Sequence, residues 1–292
     1  MVEYNTIILG AGISGISCAI YLKRAGISVL VIENHVPGGQ LNKASVIENY
    51  PGYSSISGPD LANHMMEQAS CYDIPFLYDE VTEIDFENKI LKVGSEEYSY
   101  QYLVFSTGRR ERALGLKGEE KWIGRGISFC ATCDGALYKD QDVVVVGGGS
   151  SAVSEAIYLS KLCRKVYLIY RKDDLRAEEI LKEQLFMIPN VEVIYHAVVS
   201  DYMVEDDKIC GVCLNDHQQI DASCIFLAVG HLPNSELFDG KKNCGYIVVN
   251  SKGETSRKDV YACGDVTYKQ VYQLVTASSE GVIVATSIIQ NN

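Results

Sequence analysis

Two cysteines three residues apart, Cys130 and Cys133, are followed directly by Asp134 in the stretch "SFCATCDGALY". Thiols at this spacing can form half of a metal site or a redox-active pair, or can occur by chance. A redox pair needs two sulfurs close together, a reactive thiolate and a group that protonates the leaving thiolate. Cys130, Cys133 and Asp134 supply that set, provided that a helix begins near them.

A metal site at these cysteines would need two further ligands at comparable spacing. The second C-x-x-C of the chain, Cys210 and Cys213, lies in "KICGVCLND". That pattern predicts a strand, and residues three apart on a strand point to opposite faces. The chain has 5 histidines, and none is near Cys130. We therefore predict ordinary packing for Cys210 and Cys213, and no metal site.

A glycine-rich turn near the start of the chain points to a dinucleotide. Its glycines form an intact G-x-G-x-x-G, namely Gly10, Gly12 and Gly15. In this motif the glycines allow a tight turn, a close backbone approach to a pyrophosphate and close packing of helix on strand. Glu33 stands at the end of the next predicted strand, where an acid accepts hydrogen bonds from ribose hydroxyls. Turn, strand, helix and acid together favour a nucleotide site over a ligand-free turn.

A second turn of this kind lies in the middle of the chain, at Gly147, Gly149 and Ala152. The interval from Gly10 to Glu33, counted from Gly147, leads to Tyr170, so the ribose-binding acid is missing there. Basic residues follow instead, at Arg171, Lys172 and Arg176. Basic groups at this corner suit the 2′-phosphate of NADP. The alternative is a basic rim that binds nothing, because two neighbouring aspartates dilute the positive field.

The two turns belong to an internal repeat. Residues 6–33 and 143–172 each read as a β-branched strand, a glycine cluster, a helix and a second strand, and in the second copy Val153, Ala156, Ile157 and Ser160 fall on one predicted helix face. Further strands ending in glycine are predicted at 102–108, 224–230 and 259–265. The pattern predicts an α/β fold with two Rossmann-like dinucleotide-binding domains, each a three-layer sandwich, the second inserted into the first. We place the first domain at 1–109 and 241–292, and the second at 110–240.

The charge and the cysteine content narrow the class of protein. The chain of 292 residues carries a net charge of −12, which argues against a general nucleic-acid binder because an acidic surface repels phosphates. The uncharged stretch 6–22 lacks the basic start of a signal peptide and holds three glycines, so we predict neither a leader nor a membrane span. Most of the 10 cysteines should be reduced and buried in a cytoplasmic protein.

With these residues assembled, the chain resembles the low-molecular-weight thioredoxin reductase family from end to end. The similarity is carried by "GAGISG" (10–15), "PGGQL" (37–41), "IENYPG" (47–52), "STG" (106–108), "CATCDG" (130–135), "GGGSSA" (147–152), "AVGHLPN" (228–234) and "ACGDV" (262–266). Of these, "CATCD" in its context is very specific, whereas the glycine turns alone are not.

The resemblance implies cofactors, site residues and partners. FAD would lie against Gly10, Gly12, Gly15, Glu33, Gly39, Gln40, Leu41, Asn49, Gly108, Asp265 and Gln273. Cys130 and Cys133 would be the flavin-adjacent disulfide, with Asp134 as acid and base. A pyridine nucleotide would bind at Gly147, Gly149, Ser150, Ser151, Ala152, Arg171, Lys172 and Arg176. Members of the family are homodimers that reduce thioredoxin, and rotation of their second domain presents the disulfide and the nicotinamide to the flavin in turn.

The sequence departs from the family in places that concern the electron donor. The nucleotide signature H-R-R-x-x-x-R reads "YRKDDLR" (170–176), so Tyr170 and Lys172 replace histidine and arginine. The pattern Y-R-Q-A near the flavin reads "VYQL" (271–274), which puts Tyr272 where the family has arginine. NADPH is slightly favoured as donor, and ferredoxin is the alternative. Two further alternatives are an FAD-dependent dithiol oxidase and a non-enzymatic flavin-binding sensor.

Overall fold

The structure is a computed structural model that describes residues 2–44 and 46–292. The chain divides into two compact units. One contains the residues up to Arg110 together with Leu232–Asn292, and the other is Glu111–His231. The second unit is therefore one continuous segment set within the sequence of the first.

The elements follow one another in this order along the chain. The first unit opens with β1 (Val2–Leu9), α1 (Ile13–Arg24), β2 (Val29–Ile32), α2 (Gly58–Ser70), β3 (Phe76–Leu77), β4 (Val81–Asp85), β5 (Ile90–Val93) and β6 (Glu96–Phe105). The chain leaves that unit along β7 (Arg109–Glu111). The second unit contains β8 (Ile127–Ser128), α3 (Ala131–Asp134), β9 (Asp142–Val146), α4 (Ser150–Leu159), β10 (Lys165–Ile169), α5 (Glu179–Phe186), β11 (Val191–Ile194), β12 (Val199–Glu205), β13 (Lys208–Leu214), β14 (Gln219–Asp221) and β15 (Cys224–Leu227). The chain returns along β16 (His231–Pro233) and ends with β17 (Lys242–Asn243), β18 (Tyr246–Ile247), β19 (Val260–Ala262) and α6 (Leu274–Asn291).

The first unit is built on a sheet with β1 at its centre. β1 runs parallel to β2 and β6, β2 is parallel to β3, and β19 is parallel to the end of β6. β4, β5 and the start of β6 form an antiparallel extension. Alternate residues of β1 face opposite sides, because Ile8 packs with the helices α1 and α6, whereas Ile7 and Leu9 pack with Phe105 and its neighbours on the other face.

The second unit has a fully parallel sheet of order β11-β10-β9-β15-β8. On β9, Val143 and Val145 pack against the helical layer, and Val144 and Val146 pack on the opposite face. That opposite face is covered by the antiparallel sheet β12-β13-β14. A strand buried on both sides explains why the stretch "DVVVV" is apolar without alternation.

The predicted α/β class with two Rossmann-like units is confirmed. Each unit has a mainly parallel sheet between two covering layers. The strands predicted at 102–108, 224–230 and 259–265 correspond to the end of β6, to β15 and to β19. Three of the four residues predicted for the inner face of α4 are buried, namely Val153, Ala156 and Ile157, whereas Ser160 is half-buried and follows the last helical residue.

The chain returns to the first unit at Leu232, earlier than the position 241 that the sequence predicted. Residues 232–240 belong to the first unit, not to the second. Phe238 explains the difference, because it is only 1% exposed and its ring lies edge-on to Phe105 with 5.4 Å between ring centres. The backbone N–H of Asn234 also donates to the carbonyl of Gly108 at 3.0 Å. These contacts are tertiary, so no local pattern in the sequence reveals them.

None of the helices in the described part of the chain is both long enough and apolar enough to cross a bilayer.

Replacing Phe238 with alanine should destabilise the first unit by about 3–5 kcal/mol, because a large ring is removed from a packed core. Urea denaturation followed by circular dichroism measures the change. The matched control is Phe186→Ala, since Phe186 is 58% exposed and its loss should cost well under 1 kcal/mol. Equal shifts in the two midpoints would contradict the placement of Phe238 in the core.

Candidate active site

The two cysteines of the first C-x-x-C are joined by a disulfide bond. Cys130 and Cys133 have their Cα atoms 5.3 Å apart, within the range that such bonds require. Cys130 is the N-cap residue of the single helical turn α3, and the backbone N–H of Cys133 donates to the Sγ of Cys130 at 3.2 Å. Ala131, between the two cysteines, is buried and fixes the turn. The helix that the redox interpretation required is therefore present.

Asp134 is held beside this disulfide by two hydrogen bonds. Its backbone N–H donates to the carbonyl of Cys130 at 3.1 Å. The hydroxyl of Ser128, at the end of β8, donates to Oδ2 of Asp134 at 2.7 Å. The carboxyl group is thus tied to the strand that precedes the cysteines. Sequence analysis missed Ser128, although its place two residues before Cys130 is visible in "SFC".

The first unit contains a cavity of about 1050 Å³ at the carboxyl ends of β1, β2 and β6. Most of the predicted FAD residues line it, namely Gly10, Gly12, Glu33, Gly39, Gln40, Leu41, Gly108, Asp265 and Gln273. Gly15 lies behind the cavity, where a Cβ atom would stand 2.1 Å from the carbonyl oxygen of Gly10. Asn49 lines an adjoining groove and donates to the side chain of Gln273 at 3.2 Å.

The glycine turn of this cavity fits a dinucleotide. Gly10 has φ +101°, and a Cβ atom there would lie 2.5 Å from the carbonyl oxygen of Ser106. The two carboxylate oxygens of Glu33 accept the backbone N–H groups of Ala11 at 2.8 Å and His35 at 2.9 Å. Each carboxylate oxygen can accept a further hydrogen bond, so Glu33 can still accept hydrogen bonds from ribose hydroxyls. The residues present therefore suit FAD.

One end of the cavity is closed by an arginine stacked on an aromatic ring. The guanidinium of Arg109 lies 4.4 Å from the ring centre of Tyr272, and its Nε pairs with Asp265 at 3.1 Å. The carbonyl of Arg109 also accepts the side-chain amide of Gln40 at 2.8 Å. Tyr272 thus stands in the cavity wall as half of a cation–π pair. Sequence analysis did not identify Arg109, although "STGRR" places a cation directly after the strand.

The second glycine turn has the same backbone requirement as the first. Gly147 has φ +150°, and a Cβ atom there would meet the carbonyl oxygen of Ala228 at 2.4 Å and the side chain of Ala152 at 2.9 Å. A Cβ atom added to Gly149 would have no heavy atom of the described residues within 4 Å. Ser150 and Ser151 then begin α4. Turn and helix are therefore arranged as in the first unit.

Tyr170 sets the second turn apart from the first. It is 5% exposed, and a Cβ atom on Gly148 would be 2.2 Å from its ring. Its hydroxyl accepts a hydrogen bond from Nε of Arg176 at 3.0 Å, and the backbone N–H of Arg176 donates to the carbonyl of Gly148. Arg176 is consequently held against the turn. Arg171 and Lys172 are exposed and form no ion pair with the residues that the structure describes.

The remaining eight cysteines are unbonded, four of them buried and two, Cys71 and Cys244, exposed. Cys210 and Cys213 lie on β13, as predicted, and are not bonded. Burial raises the pKa of the buried thiols, to about 11 for Cys163 and about 12 for Cys224 and Cys263, and well above the usual value for Cys18. Within residues 2–44 and 46–292, no three histidine, cysteine or acidic side chains are grouped so that they could hold a metal ion.

Comparison with known proteins supports this arrangement of turns and cysteines. The family model "Pyridine nucleotide-disulphide oxidoreductase" matches residues 4–281. The chain belongs to this family. Thioredoxin reductase of Bacillus subtilis is 37% identical over 98% of this chain and 93% of its own length.

Two solved structures are also similar to this chain. Lactococcus lactis thioredoxin reductase in the FR conformation has a TM-score of 0.86 and 33% identity, and 98% of each chain is covered. A ferredoxin-flavin thioredoxin reductase of Clostridium acetobutylicum has a TM-score of 0.56 and 30% identity, over 100% of this chain and 98% of its own. Membership of the family implies FAD and a pyridine nucleotide as cofactors.

Replacing Gly12 with alanine should leave the fold intact but weaken FAD binding at least about tenfold, because the methyl group enters the space in which the backbone approaches the pyrophosphate. Gly12 has φ −76° and no described heavy atom within 4 Å of an added Cβ atom. Equilibrium dialysis of FAD from the purified protein measures the affinity.

Gly149→Ala is the matched control for this change. Gly149 holds the same place in the second turn and also has open space, so FAD affinity should be unchanged. Equal FAD affinities for Gly12→Ala and the wild type would show that the first turn is not part of the flavin site.

Proposed function

We propose that this chain is a flavin-dependent thioredoxin reductase that takes electrons from NADPH and passes them through FAD and the Cys130–Cys133 disulfide to thioredoxin. The observation that carries the proposal is the bonded pair Cys130–Cys133 with Asp134 fixed beside it. The dinucleotide cavity of the first unit and the named relatives support it.

Bound FAD would supply the two electrons that break the Cys130–Cys133 bond. The thiolate of one cysteine then attacks a sulfur of the partner's disulfide and forms a mixed disulfide. The other cysteine attacks that mixed disulfide, which re-forms the Cys130–Cys133 bond and releases the partner as a dithiol. Asp134 takes the proton when a thiol ionises and returns one to the leaving thiolate.

NADPH is the proposed donor because the second turn keeps the features that a dinucleotide needs. Gly149 leaves room for the approach of a phosphate, and Ser150 begins a helix of ten residues whose first N–H groups favour negative charge. Arg171 and Lys172 are exposed at the corner where the 2′-phosphate would lie. Lysine recognises a phosphate as a point charge rather than by a fork, so the binding of the 2′-phosphate depends chiefly on Arg171.

Ferredoxin is the second candidate donor, and Tyr170 is the observation that favours it. The ring of Tyr170 covers Gly148 and its hydroxyl accepts the Nε–H of Arg176, so one donor of an expected phosphate ligand is already used within the turn. The structural relative from Clostridium acetobutylicum is named for ferredoxin. A chain that receives its electrons from ferredoxin would need no nucleotide at this turn.

We further propose that the protein acts as a homodimer in the cytoplasm. The dimer rests on the resemblance to the thioredoxin reductase family. The cytoplasm is supported by the buried unpaired thiols, at Cys18, Cys163, Cys224 and Cys263, because unpaired cysteines are typical of a reducing compartment.

Replacing Cys133 with serine should abolish the reduction of thioredoxin, by about 10³-fold or more, and leave bound flavin in place. Absorbance of the flavin and a coupled thioredoxin assay measure the two properties. Cys213→Ser, in the other C-x-x-C, should keep full activity because it lies on β13 outside the redox pair. Full activity of Cys133→Ser would eliminate the mechanism.

The donor is identified by adding NADPH to the oxygen-free protein and following the flavin absorbance. We expect rapid bleaching, and for Arg171→Ala we expect a KM for NADPH raised at least about tenfold with little change for NADH. Arg164→Ala is the control, because Arg164 is exposed and paired with Asp142 at 2.7 Å. No bleaching by NADPH, together with bleaching by reduced ferredoxin, would establish the second candidate.

A further inference from the structure

Ser128 lies at the junction between the redox disulfide and Asp134. It ends β8, is 5% exposed, and pairs through its backbone with Phe226 of β15. Its hydroxyl oxygen accepts the backbone N–H of Cys130 at 3.0 Å and lies 2.7 Å from Oδ2 of Asp134. One side chain therefore contacts the backbone of the first cysteine and the carboxyl group of the acid.

The single proton of this hydroxyl has two possible acceptors. The carbonyl oxygen of Cys130 is 3.4 Å away, whereas Oδ2 of Asp134 is 2.7 Å away. A hydroxyl has one proton to donate, and a charged acceptor at the shorter distance forms the stronger bond. The proton is therefore directed at Asp134, and the lone pair is directed at the N–H of Cys130.

We propose that Ser128 is a positioning residue that fixes the carboxyl group of Asp134 beside the disulfide. The inference rests on the proposed function, in which Asp134 exchanges protons with the thiols. Ser128 acts through Asp134, since its hydroxyl donates to one carboxyl oxygen and accepts the backbone N–H of Cys130. Removing the hydroxyl should release the carboxyl group from this position.

The titratable groups that face Asp134 do not change charge between pH 5 and 9. These are Tyr138, on the 3₁₀ turn that follows α3, and Cys224 of β15, and each group's own pKa is raised by burial, with the negative charge of Asp134 as a further cause. The pKa of Cys224 is about 12. Both stay neutral between pH 5 and 9, and no ion pair joins Asp134 to a cation among residues 2–44 and 46–292. A pH effect in that range is therefore not caused by Tyr138 or Cys224.

The test measures alkylation of the reduced cysteine pair by iodoacetamide between pH 5 and 9. The full FAD-loaded chain is reduced with dithiothreitol without oxygen, and peptide mass spectrometry separates Cys130 and Cys133 from the other cysteines. In Ser128→Ala we expect the curve of alkylation rate against pH to be displaced from that of the wild type, with rates that differ by more than about twofold, because the carboxyl group is no longer held beside the thiols. Ser128→Thr keeps the hydroxyl and should restore the wild-type curve.

A double-mutant cycle separates this role from simple support of the fold. In the Asp134→Asn background, Ser128→Ala should change the alkylation rate less than about twofold, because the group through which it acts is gone. A wild-type curve for Ser128→Ala, or the same displacement in both backgrounds, would overturn the proposal. Circular dichroism verifies that each variant folds. If Ser128→Thr does not fold, the double-mutant cycle alone still tests the proposal.

The experiment distinguishes a failure of this inference from a failure of the proposed function. Alkylation requires neither thioredoxin nor an electron donor, so a displaced curve in a protein that cannot reduce thioredoxin would refute the function and keep the role of Ser128. Normal thioredoxin reduction with an undisplaced Ser128→Ala curve would refute the role and keep the function.

Discussion

Contact between a glycine and the neighbouring strand is the constraint on which both units depend. A side chain at Gly10 would meet the carbonyl oxygen of Ser106 at 2.5 Å, and one at Gly147 would meet that of Ala228 at 2.4 Å. No residue with a Cβ atom tolerates such distances, so each turn can cross the end of the adjacent strand only with glycine. The crossing brings a helix N-terminus to the carboxyl edge of the sheet, where its N–H groups are available.

The residue that follows the second strand of the repeat differs between the two units. In the first unit the residue after β2 is Glu33, whose carboxylate accepts two backbone N–H groups and can still accept from a sugar. In the second unit the corresponding residue is Tyr170, which offers a ring and a hydroxyl that engages Arg176. An acid repels a phosphate, whereas a tyrosine with arginine and lysine nearby does not. One residue at a fixed place in the repeat thus changes this corner from an acceptor of backbone N–H groups to a phenol that holds an arginine.

Local and repeating features of this molecule were predictable from sequence. Strand–turn–helix units, the strand that carries Cys210 and Cys213, and the inner face of α4 follow from periodicity and glycine spacing. Features that join distant segments were not. The pair of Arg109 with Tyr272 unites residues far apart in the chain, and Phe238 reaches Phe105 across the core. Ser128 was missed for another reason, because a serine near a cysteine is common and only the direction of its hydroxyl makes it distinctive.

The chain has 10 cysteines, and four of the thiols outside the disulfide are buried, which limits their reaction with it. Exchange requires a thiolate that can reach the bond. Cys18, Cys163 and Cys263 are buried, and their raised pKa values keep them protonated at neutral pH. The protein's interior thiols are therefore poor competitors for the Cys130–Cys133 bond. The fold thereby suppresses reshuffling between the Cys130–Cys133 bond and these interior thiols during repeated oxidation and reduction.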